Sequence, residues 1–331
     1  MLATTLKSNH SFVIIIILII GTALWGYTLF EPPMLSSGSI TEMPLYTFIF
    51  QLLSINRILL FIISFAIVLT QGFLLIGFNK KHILISNRTF LPAFFYIFIT
   101  GSIVLTHTFS PVLLGGFFIF YAIDFLFRTY RIDYALNEIY MSGFLIAIAS
   151  FFWAPFVYFL ILLFISLIIM RTFIIREWII ALLGFLTPLF FMFVIYYVFI
   201  PEQDSLNLFY FVISELTVPE NIIRLEIPYY LFFGFLFLLI IVTSIKIIGN
   251  YQSKKIKTRK YFEINWWYFF VAILLFAVLK RSSLDMIYLV ALPVSFLLTE
   301  FFYSVRSKTV LNIILLLLFC CSVFIQIKAH L

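Results

Sequence analysis

Apolar runs as long as a bilayer is thick recur from one end of this sequence to the other. Phe12–Phe30, Ile58–Phe78 and Val310–Ile327 contain no charged residue at all. A hydrocarbon core of ~30 Å is crossed by about 20 helical residues, so each run has the length of one spanning helix. Backbone N–H and C=O groups find no water in that core, and a helix satisfies them within a single segment. The runs are continuous rather than alternating over ~10 residues, which argues against a transmembrane barrel. A soluble domain carries about 25% charged residues. Here only 11% of 331 residues are charged, too few to coat a water-facing surface. The expected fold is therefore all-α: a polytopic transmembrane helical bundle, one integral membrane domain over residues 1–331.

Orientation is read from Lys246–Lys260, KIIGNYQSKKIKTRK, which holds six cations and no acid. Short Lys/Arg-rich loops stay on the cytoplasmic side, because moving their charge across the bilayer is costly and the inner leaflet attracts it. With this loop inside, the apolar runs give about eleven passes, the amino terminus inside and the carboxyl terminus outside. Of the 21 Lys and Arg, all but Arg57, Arg224, Lys280, Arg281 and Lys328 then fall on inner segments. Phe12–Phe30 is read as a retained anchor, since it outruns the ~7–15 apolar residues of a signal peptide and lacks a small-x-small cleavage site.

Ser142–Met170 decides the count. As one helix it would measure about 43 Å at 1.5 Å per residue, longer than the apolar core. Trp153-Ala154-Pro155 lies at its middle, and arginines flank both of its ends. The expectation is a hairpin of two short helices turning at Trp153–Pro155, covered by protein or lining a cavity. The preceding third span is expected from Asn87-Arg88-Thr89 out to about His107, with Pro92 in its first turn. His107 is placed at an outer membrane edge as an interfacial side chain. Leu45–Ile55 and Leu206–Leu216 are amphipathic or apolar enough to lie along the outer surface.

The net charge of +7 is accounted for by inner-face anchoring, and no nucleic-acid-binding motif accompanies it. Cys320 and Cys321 are adjacent within an apolar run and form neither a standard staple nor a metal site. There is no phosphate-cradling glycine loop, no zinc-ligand spacing and no nucleophile elbow. What chemistry the chain offers is gathered on outer segments. Glu31 and Glu42 lie in the first outer loop, and carboxylates serve as general bases or ligands of a divalent metal. Arg57 begins the second span, and Lys280-Arg281 sit in an outer turn beside Asp285. Cations of this kind hold phosphate or diphosphate, arginine bidentately. Near the inner ends of spans, Asp124 has Arg128 four residues on as a helical partner, whereas Glu300 has none assured.

Three segments carry a resemblance: Asn79–Ser102, which includes NRTFLPAFFYIFITGS; Gly143–Pro155; and Arg171–Pro188, RTFIIREWIIALLGFLTP. The chain resembles a family of polytopic inner-membrane proteins of Gram-negative bacteria with no assigned activity. It is more distantly similar to the GT-C class of membrane glycosyltransferases. That class uses lipid-linked donors and places an acid in the first outer loop, a position that Glu31 and Glu42 would occupy. Lys280 and Arg281 would then suit the lipid phosphate. The paired acidic motif usual in that class is absent here.

The functional expectation is a bacterial inner-membrane protein of envelope biogenesis, handling a polyprenyl-phosphate-type substrate at the outer leaflet, with sugar transfer as its chemistry. Glu31 and Glu42 would be catalytic, and Arg57, Lys280 and Arg281 would bind phosphate. The bilayer and a lipid-linked sugar are the expected partners. The sequence leaves open whether the chain is an enzyme at all. The alternatives are a non-catalytic membrane subunit bound to a partner protein, and a transporter.

Overall fold

The computed structural model describes residues 2–8, 10–30, 43–53, 56–171, 173–199, 226–278 and 284–329. Every regular element among them is helical. The chain runs α1 (Leu2–Lys7), α2 (Phe12–Phe30), α3 (Pro44–Leu53), α4 (Arg57–His82), α5 (Leu91–Gly101), α6 (Pro111–Arg128) and α7 (Leu136–Ser150). It continues α8 (Phe159–Met170), α9 (Ile175–Phe199), α10 (Ile227–Gly249), α11 (Ile256–Val278), α12 (Ile287–Ser304) and α13 (Lys308–Ala329). Six helices among the described residues are long and apolar enough to cross a membrane, and several shorter apolar helices accompany them. The protein is thus an all-helical membrane protein, as the length of its apolar runs predicts.

Burial sorts the helices. The apolar stretch ending in α12 is 83% buried, whereas that of α9 is only 22% buried. Every residue of α5 is buried, packed against α12, α4 and α2. An eleven-residue helix is too short to cross a bilayer exposed to lipid. It persists here because neighbouring helices cover its ends. The third span therefore stops at Gly101, short of the expected His107. Beyond Gly101, Val104–Thr106 forms a short 3-10 turn, and Ser110 caps α6 by accepting from Leu113 N. Gly101 faces Leu24 and Trp25 of α2 so closely that a Cβ would lie 3.2 Å from the indole nitrogen.

Hydrogen bonds gather the segments into two ends. At one end, Tyr303 donates to the Lys7 carbonyl, Thr258 to that of Ile83, and Lys260 to that of Met170. Lys254 pairs with Glu300. This basic end collects the segments around residues 7, 80–88, 124–135, 170–177, 246–263 and 300–308. At the other end, Tyr288 donates to Thr106 O, Tyr46 to Phe109 O and Gln326 to Leu24 O. Leu45 N donates to Phe151 O, seating α3 on the turn that follows α7.

The stretch Ser142–Met170 is two helices, not one. It breaks after Ser150, turns through a 3-10 segment at Ala154–Tyr158, and resumes as α8. Arg171, just past α8, donates to the carbonyls of Thr129, Ile132 and Asp133, just before α7. The two arms therefore begin and end together, as a hairpin must. The basic connector differs from a simple loop. Lys246 lies in α10 and Lys257, Arg259 and Lys260 in α11, so only the short segment between them turns. Leu45–Ile55 is largely realised as α3, and Leu206–Leu216 lies outside the described residues.

Candidate functional site

Four of the five residues expected to carry chemistry, Glu31, Glu42, Lys280 and Arg281, lie outside the described residues. Arg57 is described. It opens α4, where Asn56 caps the helix by accepting from Ile58 N at 2.9 Å. Its side chain is exposed and makes no ion pair among the described residues. One turn on, Leu60 packs with Tyr46, Phe109 and Phe152, so Arg57 belongs to the end away from the basic connector.

A groove of about 450 Å³ runs between α10, α11 and α12 toward that same end. One stripe of α10 (Tyr230, Phe233, Phe237) forms a wall, because helical residues three and four apart share a face. Phe269 and Ile273 of α11 form a second wall, and Leu284 with Val290 closes the groove near the start of α12. The lining is apolar apart from the Tyr230 hydroxyl. Tyr230 and Phe237 remain more than half exposed, so the groove opens sideways. Gly234 lies in the α10 stripe with no atom within 4 Å of where a Cβ would stand. Such a space accepts a hydrocarbon chain. The five residues 279–283, which join α11 to Leu284, carry Lys280 and Arg281 in the sequence.

The densest ionic constellation lies at the basic end. Asp124 on α6 accepts from His82 Nε2 at 2.6 Å, from Lys81 Nζ at 2.7 Å and from Arg128 Nε at 3.0 Å. The expected Asp124–Arg128 helical pair is present. Lys81 and His82 were not legible as partners, being more than forty residues away in sequence. His82 is 3% exposed and is walled by Phe78, Phe127 and Tyr261. The Tyr261 hydroxyl is itself engaged with Phe127 O. The arrangement ties α4 to α6. Glu300, which lacked an assured partner in sequence, is paired with Lys254. Nearby, burial and the charge of Lys246 lower the Lys7 ammonium from its ordinary pKa. Burial and Glu263 raise the Tyr251 phenol against the opposing pull of Arg259.

His107 corrects its expected role at the membrane edge. It is 1% exposed and stacks on Trp25 with ring centroids 4.1 Å apart. Its Nε2 donates to Gly101 O, and its Nδ1 meets the Thr28 hydroxyl. The ring thus fills the space where α5 stops, satisfying a helix-end carbonyl that lipid would leave bare. Among the described residues, no three of His, Cys, Asp and Glu converge as a metal site.

Residues 34–331 match the model of DUF6427, described as a family of unknown function. No curated protein matches the chain, and neither does any solved structure.

Proposed function

The chain belongs to the DUF6427 family of unknown function, and from that premise we propose that it handles a polyprenyl-phosphate-type substrate at the bundle end away from the basic connector. By charge placement that end faces outward, which gives about eleven passes across a bacterial inner membrane, amino terminus inside. One observation carries the reading: the apolar groove between α10, α11 and α12, open sideways toward lipid. A polyprenyl tail suits its lining, and Lys280 and Arg281 in the adjoining connection suit the phosphate. Arg57 adds a cation at the same end. Glu31 and Glu42 supply the general base, or the ligands of a divalent metal, for a GT-C-like sugar transfer from the lipid phosphate.

The test is native mass spectrometry of the detergent-purified protein with undecaprenyl phosphate. Gly234→Phe fills the groove and should abolish retention. The pair Lys280→Gln/Arg281→Gln should remove the preference for the phosphate over the free alcohol. Undiminished, phosphate-selective binding by both variants would overturn the proposal. Glu31→Gln and Glu42→Gln should keep binding and lose sugar transfer from a labelled polyprenyl-phosphate sugar.

A second reading, a non-catalytic membrane subunit, is supported by α9. Its exposed face includes Ile179, Leu186, Phe190, Phe193 and Tyr197. Lipid covers that face in the first reading and a partner helix in the second. Stable co-purification with another membrane protein, together with tolerance of every charge change above, would select it.

A further inference from the structure

A second cleft, independent of the apolar groove, lies at the basic end where α4 gives way to α5. Ile83 stops α4 by taking a left-handed conformation (φ 56°), its N–H returning to Asn79 O at 2.8 Å. The buried Asn79 side chain then accepts from Ile85 N at 2.9 Å. Leu84 and Ile85 are buried, and Thr89 accepts from Leu91 N at 3.1 Å to start α5. The connection is thereby curled against the last turns of α4 and encloses about 460 Å³. Ile76 and Phe90 supply apolar lining; Ser86, Asn87, Lys80 and Arg88 supply the polar part.

Two cations line this cleft. The neighbouring Lys81 is instead held by Asp124. Lys80 projects about 100° around the helix from Lys81, and both it and Arg88 are exposed with no carboxylate partner among the described residues. Two cations with no described carboxylate partner therefore share a cleft with hydroxyl and amide groups and an apolar lining. Basic pockets between helices at the cytoplasmic side are suited to anionic lipid headgroups, and arginine takes phosphate oxygens bidentately.

We propose that this cleft binds an anionic phospholipid, its phosphate held by Lys80 and Arg88 and its first chain carbons against Ile76 and Phe90. The apolar lining favours a lipid over free phosphate.

The test is native mass spectrometry of detergent-solubilised protein with phosphatidylglycerol, phosphatidylcholine or inorganic phosphate. Wild type should retain phosphatidylglycerol over phosphatidylcholine, and millimolar inorganic phosphate should not displace it. Lys80→Gln/Arg88→Gln should lower that retention by about tenfold or more, from the contribution expected of two cations at a lipid surface. The charge-matched control Arg306→Gln/Lys308→Gln, at exposed positions of the same end, should leave it unchanged. Lys80→Arg/Arg88→Lys should keep most of it, which covers the case of a neutral variant that does not fold. Equal loss in the cleft variant and the control would overturn the proposal, as would displacement by inorganic phosphate or the absence of any headgroup preference.

Discussion

Nε2 of His82 donates to Oδ1 of Asp124 at 2.6 Å, tying the last turn of α4 to α6 where the bundle meets its basic end. Lys81 and Arg128 share the other carboxylate oxygen. Those two cations are partly exposed and can turn to water, whereas His82 is sealed among aromatic rings. Asp124→Ala should therefore destabilise by about 2–4 kcal/mol, mostly from stranding the imidazole and the converging charges. Asp124→Asn keeps an acceptor for His82 and should lose less. Denaturant unfolding in micelles measures both; an alanine variant within about 0.5 kcal/mol of wild type would refute this account.

Helices α7 and α9 touch backbone to backbone. A Cβ on Gly184 would lie 2.2 Å from Tyr140 O, and one on Gly143 would lie 2.4 Å from Ala181 O. Small residues permit this approach, which substitutes for the hydrophobic drive missing in lipid. Gly184→Ala should lower stability by about 1–3 kcal/mol through forced separation. Gly234→Ala, facing open space, should be neutral or gain up to ~1 kcal/mol from helix propensity. Equal effects at the two positions in a thermal-unfolding assay would count against the close packing.

The hairpin depends on Arg171. Its guanidinium forks onto Glu177, with Nε to Oε2 at 2.9 Å, and also reaches three carbonyls preceding α7. Lysine keeps the charge but has neither the planar fork nor enough donors in the right directions. Arg171→Lys should accelerate amide hydrogen exchange across residues 129–135 while leaving the core of α12 protected. Unchanged exchange in that connection would show that it is held by something else.

Within the apolar core, the Tyr96 hydroxyl donates to the Gln71 amide oxygen, and Gln71 Nε2 donates to Leu113 O at 2.9 Å. This bridge joins α5, α4 and α6. Tyr96→Phe should cost about 1–2 kcal/mol, leaving one amide acceptor unpaired. Gln71→Ala should cost more, since it also opens a cavity. A double variant no worse than Gln71→Ala would confirm that the two side chains act as one unit.

Much of the architecture was legible because spanning helices carry their own constraint. Continuous apolar runs can satisfy backbone hydrogen bonds in lipid only as helices, and the runs around Phe12, Ile58, Trp178, Tyr229 and Val310 are helical as expected. The turn at Trp153–Pro155 was also readable, since a 29-residue helix would overshoot the bilayer and Pro155 interrupts it. Helix ends were less readable. Gly101 ends α5 because Trp25 and His107 occupy the space beyond it, a contact between residues far apart in sequence. The basic connector looked like a loop because its charges hid the helical turns at both of its ends. Of the expected site, Arg57 alone falls among the described residues, and the groove beside Leu284 has no signature in a run of Phe, Ile and Leu.

Local chemistry determined that this chain is a membrane-spanning all-helical protein and that Asp124 and Arg128 would pair, because hydropathy and i,i+4 spacing act within a single segment. Tertiary structure alone decided that His82 and Lys81 complete that carboxylate, that Lys254 answers Glu300, and that His107 is buried on Trp25. It also decided that Lys80 and Arg88 share a cleft with no carboxylate partner among the described residues. Each of these depends on which helix lies beside which. In lipid that choice is made by close packing and buried polar contacts, which an apolar sequence pattern does not encode.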